Sequence, residues 1–301
     1  MASINFEEVR QAGGLELLAK QLVEGFITGL HKSPYHGFSV EFAEHRLYNE
    51  GQSTRHIDWK VFARTDRLYT KQYEEETNLR CMIALDCSPS MYYPQPEMAK
   101  MRFSVYAAAA LSYLMQHQRD AVGLALFADK IEELTQIKST PAHLDKLLKT
   151  FDRKLAEKPQ LKGSRITEVL HELAEKIHRR SLVIIFSDMF EGEDSESIFK
   201  ALQHLKHNKH EVLLFHVTDH ETELAFQFED RPHEFIDLES GEKIKLNPAE
   251  VKDYFESRLK QTHAELKSKC NQLKIDFISA DARKDFYSIL QAYLIKRAKM
   301  R

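Results

Sequence analysis

RCMIALDCSPS, residues 80–90, is the stretch on which the fold turns. Arg80–Leu85 is a short apolar run, and the five residues after it, Asp86-Cys87-Ser88-Pro89-Ser90, make a polar turn. A strand buried on both faces reads as a continuous run because neither side alternates with water, which marks a central strand of a parallel sheet. The polar residues then fall at the strand's carboxyl end, where open α/β sheets gather their ligands.

The pattern repeats downstream. Ala121–Ala128, Ser181–Ser187 (SLVIIFS) and Glu211–Val217 (EVLLFHV) are further apolar runs of strand length, and Ile275–Ile278 is a last, shorter one. Between them lie stretches with helical spacing of apolar residues: Glu97–Gln118, alanine-rich at Ala107–Ala110, then Thr140–Phe151, Ile166–Arg180 and Asp194–His207. Strands alternating with helices of this length imply βαβ units and a doubly wound, mostly parallel sheet. Ile131–Gln136 reads as a hairpin arm. Leu224–Leu246 interrupts the alternation with a small β-hairpin insertion turning at Ser240–Gly241. Pro248 opens a long amphipathic helix reaching about Leu273, and Phe286–Ala298 closes the chain.

Upstream, Glu7–Leu18 and Leu22–Leu30 have helical spacing, and Ser33–Arg67 is polar, aromatic-rich and irregular. Leu68–Glu76 alternates as a strand. The expected organisation is an N-terminal extension, 1–78, ahead of an α/β domain, 79–301. The 301 residues suffice for one large domain or two modest ones. A net charge of −3 gives no basic excess, so nucleic acid is not the expected partner. Cys81, Cys87 and Cys270 lack metal-site spacing and fit free thiols in a reducing compartment. No stretch approaches the roughly 18–20 apolar residues of a membrane helix, and Met1–Arg10 is not a signal peptide. The expected location is the cytoplasm.

Three polar clusters sit at predicted strand ends or helix starts: Asp86 to Ser90, Gly163-Ser164-Arg165-Ile166-Thr167, and Ser187-Asp188. Their donors are carboxylates and hydroxyls, hard oxygen ligands suited to Mg²⁺ or Mn²⁺ that keeps some of its water. Asp86, Ser88 and Ser90 come from one loop, and Asp188 from another strand end. A site so poor in charged ligands leaves an ion electrophilic, ready for an acidic side chain offered by a partner. Ser187 reads as the residue finishing its strand.

D-x-S-x-S at 86–90, a later hydroxyl at a helix start and an Asp after a later strand resemble the metal-ion-dependent adhesion site of von Willebrand factor A (vWA) domains. The flanking text is more specific. SPYHGFSVEFAEHRLYNEGQSTRHIDWKVFARTDRLYTKQYEEETN (33–78), LVIIFSD, HEVLLFHVTD and FIDLESGE resemble, in order, the DUF58 family, so the resemblance covers nearly the whole chain. It implies a vWA-like core with an N-terminal extension, Mg²⁺ as the metal, and association with MoxR-type AAA+ ATPases. The family places a threonine in a loop before the HELAE-type helix. Counting back from His171, that position falls on Ser164, and Thr167 is the competing ligand.

Other features have structural explanations. His204, His207 and His210 straddle a helix end and a strand start, where surface histidines favoured by the helix dipole are expected. His31, His36 and His45 are scattered over irregular sequence. Arg46, Arg55, Asp58, Trp59 and Arg64 suit an ion-pair network pinning the extension, with a docking surface as the other reading. Glu74–Glu76 suits a solvated strand edge, and Asp219 a strand-end turn.

Function thus reduces to three candidates. The first is a metal-dependent binding module for a MoxR-type ATPase or its substrate, not an enzyme. The second is a Mg²⁺-dependent phosphohydrolase of the haloacid-dehalogenase kind, although the second carboxylate such enzymes carry two residues after the nucleophile is here Ser88. The third is a vWA-like scaffold with an empty site.

Overall fold

A computed structural model describes residues 14–24, 45–47, 59–71, 79–95, 98–157, 165–189, 195–238, 241–283 and 287–299. The chain divides into two compact units, 27–78 and the remainder. Helix α1 (14–24) belongs to the larger unit and buries Leu15, Leu18, Ala19, Leu22 and Val23, a stripe at helical spacing. In the smaller unit, β1 (His45–Leu47) pairs antiparallel with β2 (Tyr69–Lys71), and α2 (Trp59–Thr65) lies between them in sequence. Arg64 is exposed on α2, whereas His31, His36, Arg55, Asp58 and Glu74–Glu76 lie outside the described residues.

The larger unit continues with β3 (Arg80–Asp86), α3 (Ala99–His117), β4 (Ala121–Phe127), β5 (Ile131–Leu134), α4 (Pro141–Ala156), α5 (Ile166–Lys176), β6 (Leu182–Ser187), α6 (Ser195–His207) and β7 (Glu211–Thr218). The insertion follows as β8 (His233–Ile236) and β9 (Lys243–Leu246), then α7 (Pro248–Gln272), β10 (Asp276–Asp281) and α8 (Tyr287–Lys299). Six strands form one sheet in the order β10-β7-β6-β3-β4-β5. All its pairs are parallel except β4–β5 at one edge. This is a doubly wound α/β fold of the vWA/Rossmann type, and β8–β9 is a separate antiparallel hairpin.

Each layer follows from the sequence. Met82 to Leu85 of β3 are all buried, as are Leu182 to Phe186 of β6. Met82, Ala84, Val183, Ile185, Val212 and Leu214 face one way, into a core shared with α5, α6 and α7. The pleat turns the alternate residues to the opposite face, where α3 packs with α4 and α8. Ala107 to Ala110 are buried, and their small side chains let α3 lie close to the sheet. Gly123 in β4 makes room on the other face: a Cβ there would stand 2.9 Å from the Ile137 Cγ1 and 3.0 Å from the Met82 Cε.

Chain order runs outward from β3 to β4 and β5, then returns to β6 on the other side of β3. The order therefore reverses between β3 and β6, and the crevice outside their carboxyl ends is where a fold of this type binds. Among the described residues, no helix is long and apolar enough to cross a membrane.

Candidate functional site

Asp86 closes β3 and Ser187 closes β6, so the sheet itself brings them together across the reversal. The Ser187 hydroxyl donates to Asp86 Oδ2 at 2.6 Å and accepts from the Met189 amide at 2.9 Å. The Ser88 amide donates to Asp86 Oδ1 at 2.8 Å. Ser88 then caps a single 3₁₀ turn, Pro89–Tyr92, whose tight geometry places Ser90 Oγ 3.0 Å from Ser88 Oγ. Asp86, Ser88 and Ser90 are all buried.

Asp86 thus holds a buried carboxylate with hydroxyl and amide donors alone, and no ammonium or guanidinium contacts it among the described residues. Burial pushes its carboxyl up to about 6, Asp188 adds to the rise, and the bonds from Ser187 and Ser88 oppose it.

Asp188, the residue after β6, has a different partner. Lys100 Nζ donates to Asp188 Oδ2 at 2.8 Å, and both side chains are almost wholly buried, at 1% and 3% exposure. The same ammonium donates to Glu223 Oε1. Burial alone would depress the Lys100 amine, but Asp188 and Glu223 outweigh it and hold the amine above its usual value. The Tyr93 ring lies 5.7 Å from that ammonium. Glu223 is raised by burial, with Asp188 adding to the rise and Lys100 opposing it.

Glu223 sits in a short helical turn, His220–Leu224, capped by Asp219. Asp219 accepts from the Thr222 amide at 3.2 Å and from Arg283 Nε at 2.7 Å, and its own amide donates to Glu223 Oε2 at 2.8 Å. The strand-end turn read from sequence is present, and it also carries Glu223 into the site. Asp86, Asp188, Asp219 and Glu223 set four carboxylates against the cations Lys100 and Arg283.

Two backbone irregularities flank the bridge. Met98, at the N-terminus of α3, and Met189, directly after Asp188, have φ of 48° and 49°. A side chain with a Cβ in the left-handed region costs energy, and such positions persist where the surroundings demand them.

On the neighbouring strand, His216 of β7 is buried against His263 at 5.2 Å and Phe277 at 5.6 Å between ring centres. Burial, with the nearby His263, lowers its imidazole to about 4. A cavity of about 430 Å³ opens beside the serine loop at Cys87 and Tyr92. Among its charges, Arg153 pairs with Glu133 and Lys154 with Glu132 and Glu157.

Of the residues chosen from sequence, Asp86, Ser88 and Ser90 converge, and Asp188 lies at the same crevice bound to Lys100. Ser164 lies outside the described residues, and Thr167 is half-buried in the first turn of α5. Ser187 finishes β6 as read from sequence and in addition bonds Asp86, while Lys100 and Glu223 were missed. Lys100 had a signal, since a lysine in the first turn of a helix opposes the macrodipole and its place on the apolar face of α3 has no surface explanation. The histidine reading needs one correction: His210 is buried, because it leads from the end of α6 straight into β7. His204 stays partly exposed, bonded through its ring nitrogens to His171 at 2.9 Å and to Glu175 at 2.8 Å.

The donor set suits a hard divalent ion. Asp86 offers a carboxylate without a cation, Ser88 and Ser90 offer paired hydroxyls, and the loop's one soft donor, the Cys87 thiol, donates to the Leu85 carbonyl at 3.6 Å. Among the described residues, no group of three or more His, Cys, Asp or Glu side chains gathers as a protein-only metal cage.

Comparison with known proteins gives the family. An uncharacterized protein of Mycobacterium tuberculosis and one of Mycobacterium bovis are each 25% identical to this chain over 205 residues, 68% of the chain. The chain spans 63% of the length of these relatives. Among solved structures, an aerotolerance-related membrane protein from Bacteroides fragilis aligns with a TM-score of 0.49 at 17% identity, over 73% of this chain and 99% of that one. A von Willebrand factor type A protein from Catenulispora acidiphila aligns at 0.45 and 12%, over 77% of this chain and 43% of that one. The model of the family described as "Protein of unknown function DUF58" matches residues 44–265, most of the chain, and the chain belongs to that family.

Proposed function

We propose that this chain is a protein-binding module whose Asp86–Ser88–Ser90 loop uses Mg²⁺, or Mn²⁺ in its place. We infer that it serves in the cytoplasm as an adaptor for a MoxR-type AAA+ ATPase or for that ATPase's substrate. The observation that carries this reading is Asp86 itself: a buried carboxylate at the reversal of strand order, bonded by the Ser187 hydroxyl and the Ser88 amide, followed in the same loop by the paired Ser88 and Ser90 hydroxyls, and contacted by no cation among the described residues. Asp86, Ser88 and Ser90 would hold the ion, with Ser164 or Thr167 supplying the contribution of the 163–167 loop and Asp188 lying behind its bridge to Lys100. Once bound, the ion supplies a Lewis-acidic point for an acidic side chain of the partner. The ATPase is suggested by family resemblance, and free buried thiols at Cys81, Cys87 and Cys270 favour a reducing compartment.

The test couples partner capture to metal. Mg²⁺ should raise the melting temperature of the wild-type protein by mass action and leave Asp86→Ala unmoved. Capture of the ATPase should be lost with chelator and with Asp86→Ala. Full capture under both conditions would refute the metal-dependent reading, and Mg²⁺-insensitive melting of the wild type would leave a vWA-like scaffold without an ion.

A phosphohydrolase remains the second reading because Lys100 stands beside Asp188 at the same crevice, as a charge-stabilising lysine would. Turnover of phosphoesters abolished by Asp86→Asn would select it.

A further inference from the structure

Lys100 is the least expected group in the molecule. It lies in the first turn of α3, where the helix dipole disfavours a cation, yet its ammonium is fully buried and bonded to two carboxylates from different parts of the chain, Asp188 after β6 and Glu223 after β7. A buried ammonium persists only when its partners offset the loss of water, and here the offset comes from two acidic groups of the crevice. The bridge uses one of the two carboxylates that the sequence pattern assigns to the ion. Asp86 keeps only neutral donors.

We propose that Lys100 is a resident cation of the site that sets its affinity for a divalent ion. It engages Asp188 and Glu223, so that the ion is gripped by Asp86, Ser88 and Ser90 and has to be completed by a carboxylate of the partner. This rests on the metal-binding reading above and adds to it a reason for weak binding in the absence of partner. Lys100 does not touch the ion. It acts through Asp188, as a positioning residue. Ion and partner then bind cooperatively, because each supplies what the other lacks.

Mn²⁺ titration followed by calorimetry, in the absence of partner, tests this on the full chain. Lys100→Met releases Asp188 from the ammonium and removes a positive charge, and it should bind Mn²⁺ at least tenfold more tightly than wild type, with the gain abolished by adding Asp86→Ala. The Lys100→Met protein should also show a larger Mg²⁺-induced rise in melting temperature. Equal or weaker binding by Lys100→Met overturns the proposal and leaves the metal reading intact. Binding by neither protein overturns both. Binding by Lys100→Met alone supports the proposal in its strongest form, with the ammonium standing in for the ion. Should Lys100→Met fail to fold, Asp188→Asn decides. With Asp188 already engaged by Lys100, this change should lower Mn²⁺ affinity less than tenfold, whereas loss of a group that holds the ion would lower it by tenfold or more and overturn the proposal.

Discussion

Asp86 and His216 are both buried, and burial moves them in opposite directions over the same pH range. The Asp86 carboxyl, raised from 3.8 to about 6, favours the folded chain when protonated, so its contribution declines as pH rises through that interval. The His216 imidazole, lowered from 6.5 to about 4, favours the folded chain when neutral. Its contribution is complete above pH 6.5 and is lost as pH falls through about 4. His216→Phe keeps the ring packing on Phe277 and removes the titration. In urea unfolding, wild type should therefore lose stability relative to His216→Phe between pH 7 and 4.5, by up to about 3 kcal/mol, and a constant difference would show that His216 charges without cost. Asp86 is common to both proteins, so the comparison isolates the histidine. Nothing in the local sequence of His216 foretold this. Its burial depends on α7 bringing His263 onto it from 47 residues away, a tertiary contact that alternation along β7 does not encode. Asp86, Ser88 and Ser90 were legible because a single turn carries all three.

At the scale of elements, the strands were legible, and so were the ends of α3, α6 and α7, whereas α4 runs to Ala156 instead of Phe151 and α5 stops at Lys176 instead of Arg180. Buried strands β3, β6 and β7 lie within a residue or two of their predicted limits because a continuous apolar run has sharp edges. The helices α3, α6 and α7 end without glycine. After each, the residue in the left-handed region is Arg119, Lys209 or Lys274, with φ of 60°, 63° and 56°. Paired backbone bonds close all three ends in the same way: Asp120 N to Met115 O with Arg119 N to Gln116 O, His210 N to Leu205 O with Lys209 N to Lys206 O, and Ile275 N to Cys270 O with Lys274 N to Asn271 O. This is the Schellman arrangement, in which glycine avoids the Cβ penalty. Lys209 and Lys274 are exposed, so Lys209→Gly and Lys274→Gly should each raise stability by roughly 0.5–1 kcal/mol, read as a shift of the denaturant midpoint at unchanged slope. A fall in the midpoint would mean that the lysine side chains contribute more than the strained backbone costs. In each case the residue after the left-handed one, Asp120, His210 or Ile275, is buried and leads into the next strand, and this is how His210 comes to be inside.

Across the whole molecule, the doubly wound, mostly parallel class of sheet could be read from alternation alone, and so could the gathering of polar residues at its strand ends. Two things could not. The division of the chain into 27–78 and the remainder gives α1 to the larger unit, although helical spacing continues in the sequence well past residue 24. The bridge from Lys100 to Asp188 and Glu223 joins residues 88 and 123 positions apart, and only the folded sheet makes them neighbours. Long-range pairing of buried charge has no periodic signature, so pattern reading located the hydroxyls and missed the ammonium.

The three cysteines give the molecule its own set of reporters. Cys81 lies in the central strand, Cys87 beside the serine loop, and Cys270 in the last turn of α7, all as buried free thiols. Burial also raises each thiol above its usual value, so reaction with a disulfide reagent has to wait for local opening. Cys87 retains 8% exposure and the other two none. Labelling should therefore proceed in separate phases: first the loop that carries Ser88 and Ser90, later α7 and the sheet. A ligand at Asp86 should slow the first phase and leave Cys270 untouched, which lets the unmodified protein report where on its surface a partner has landed.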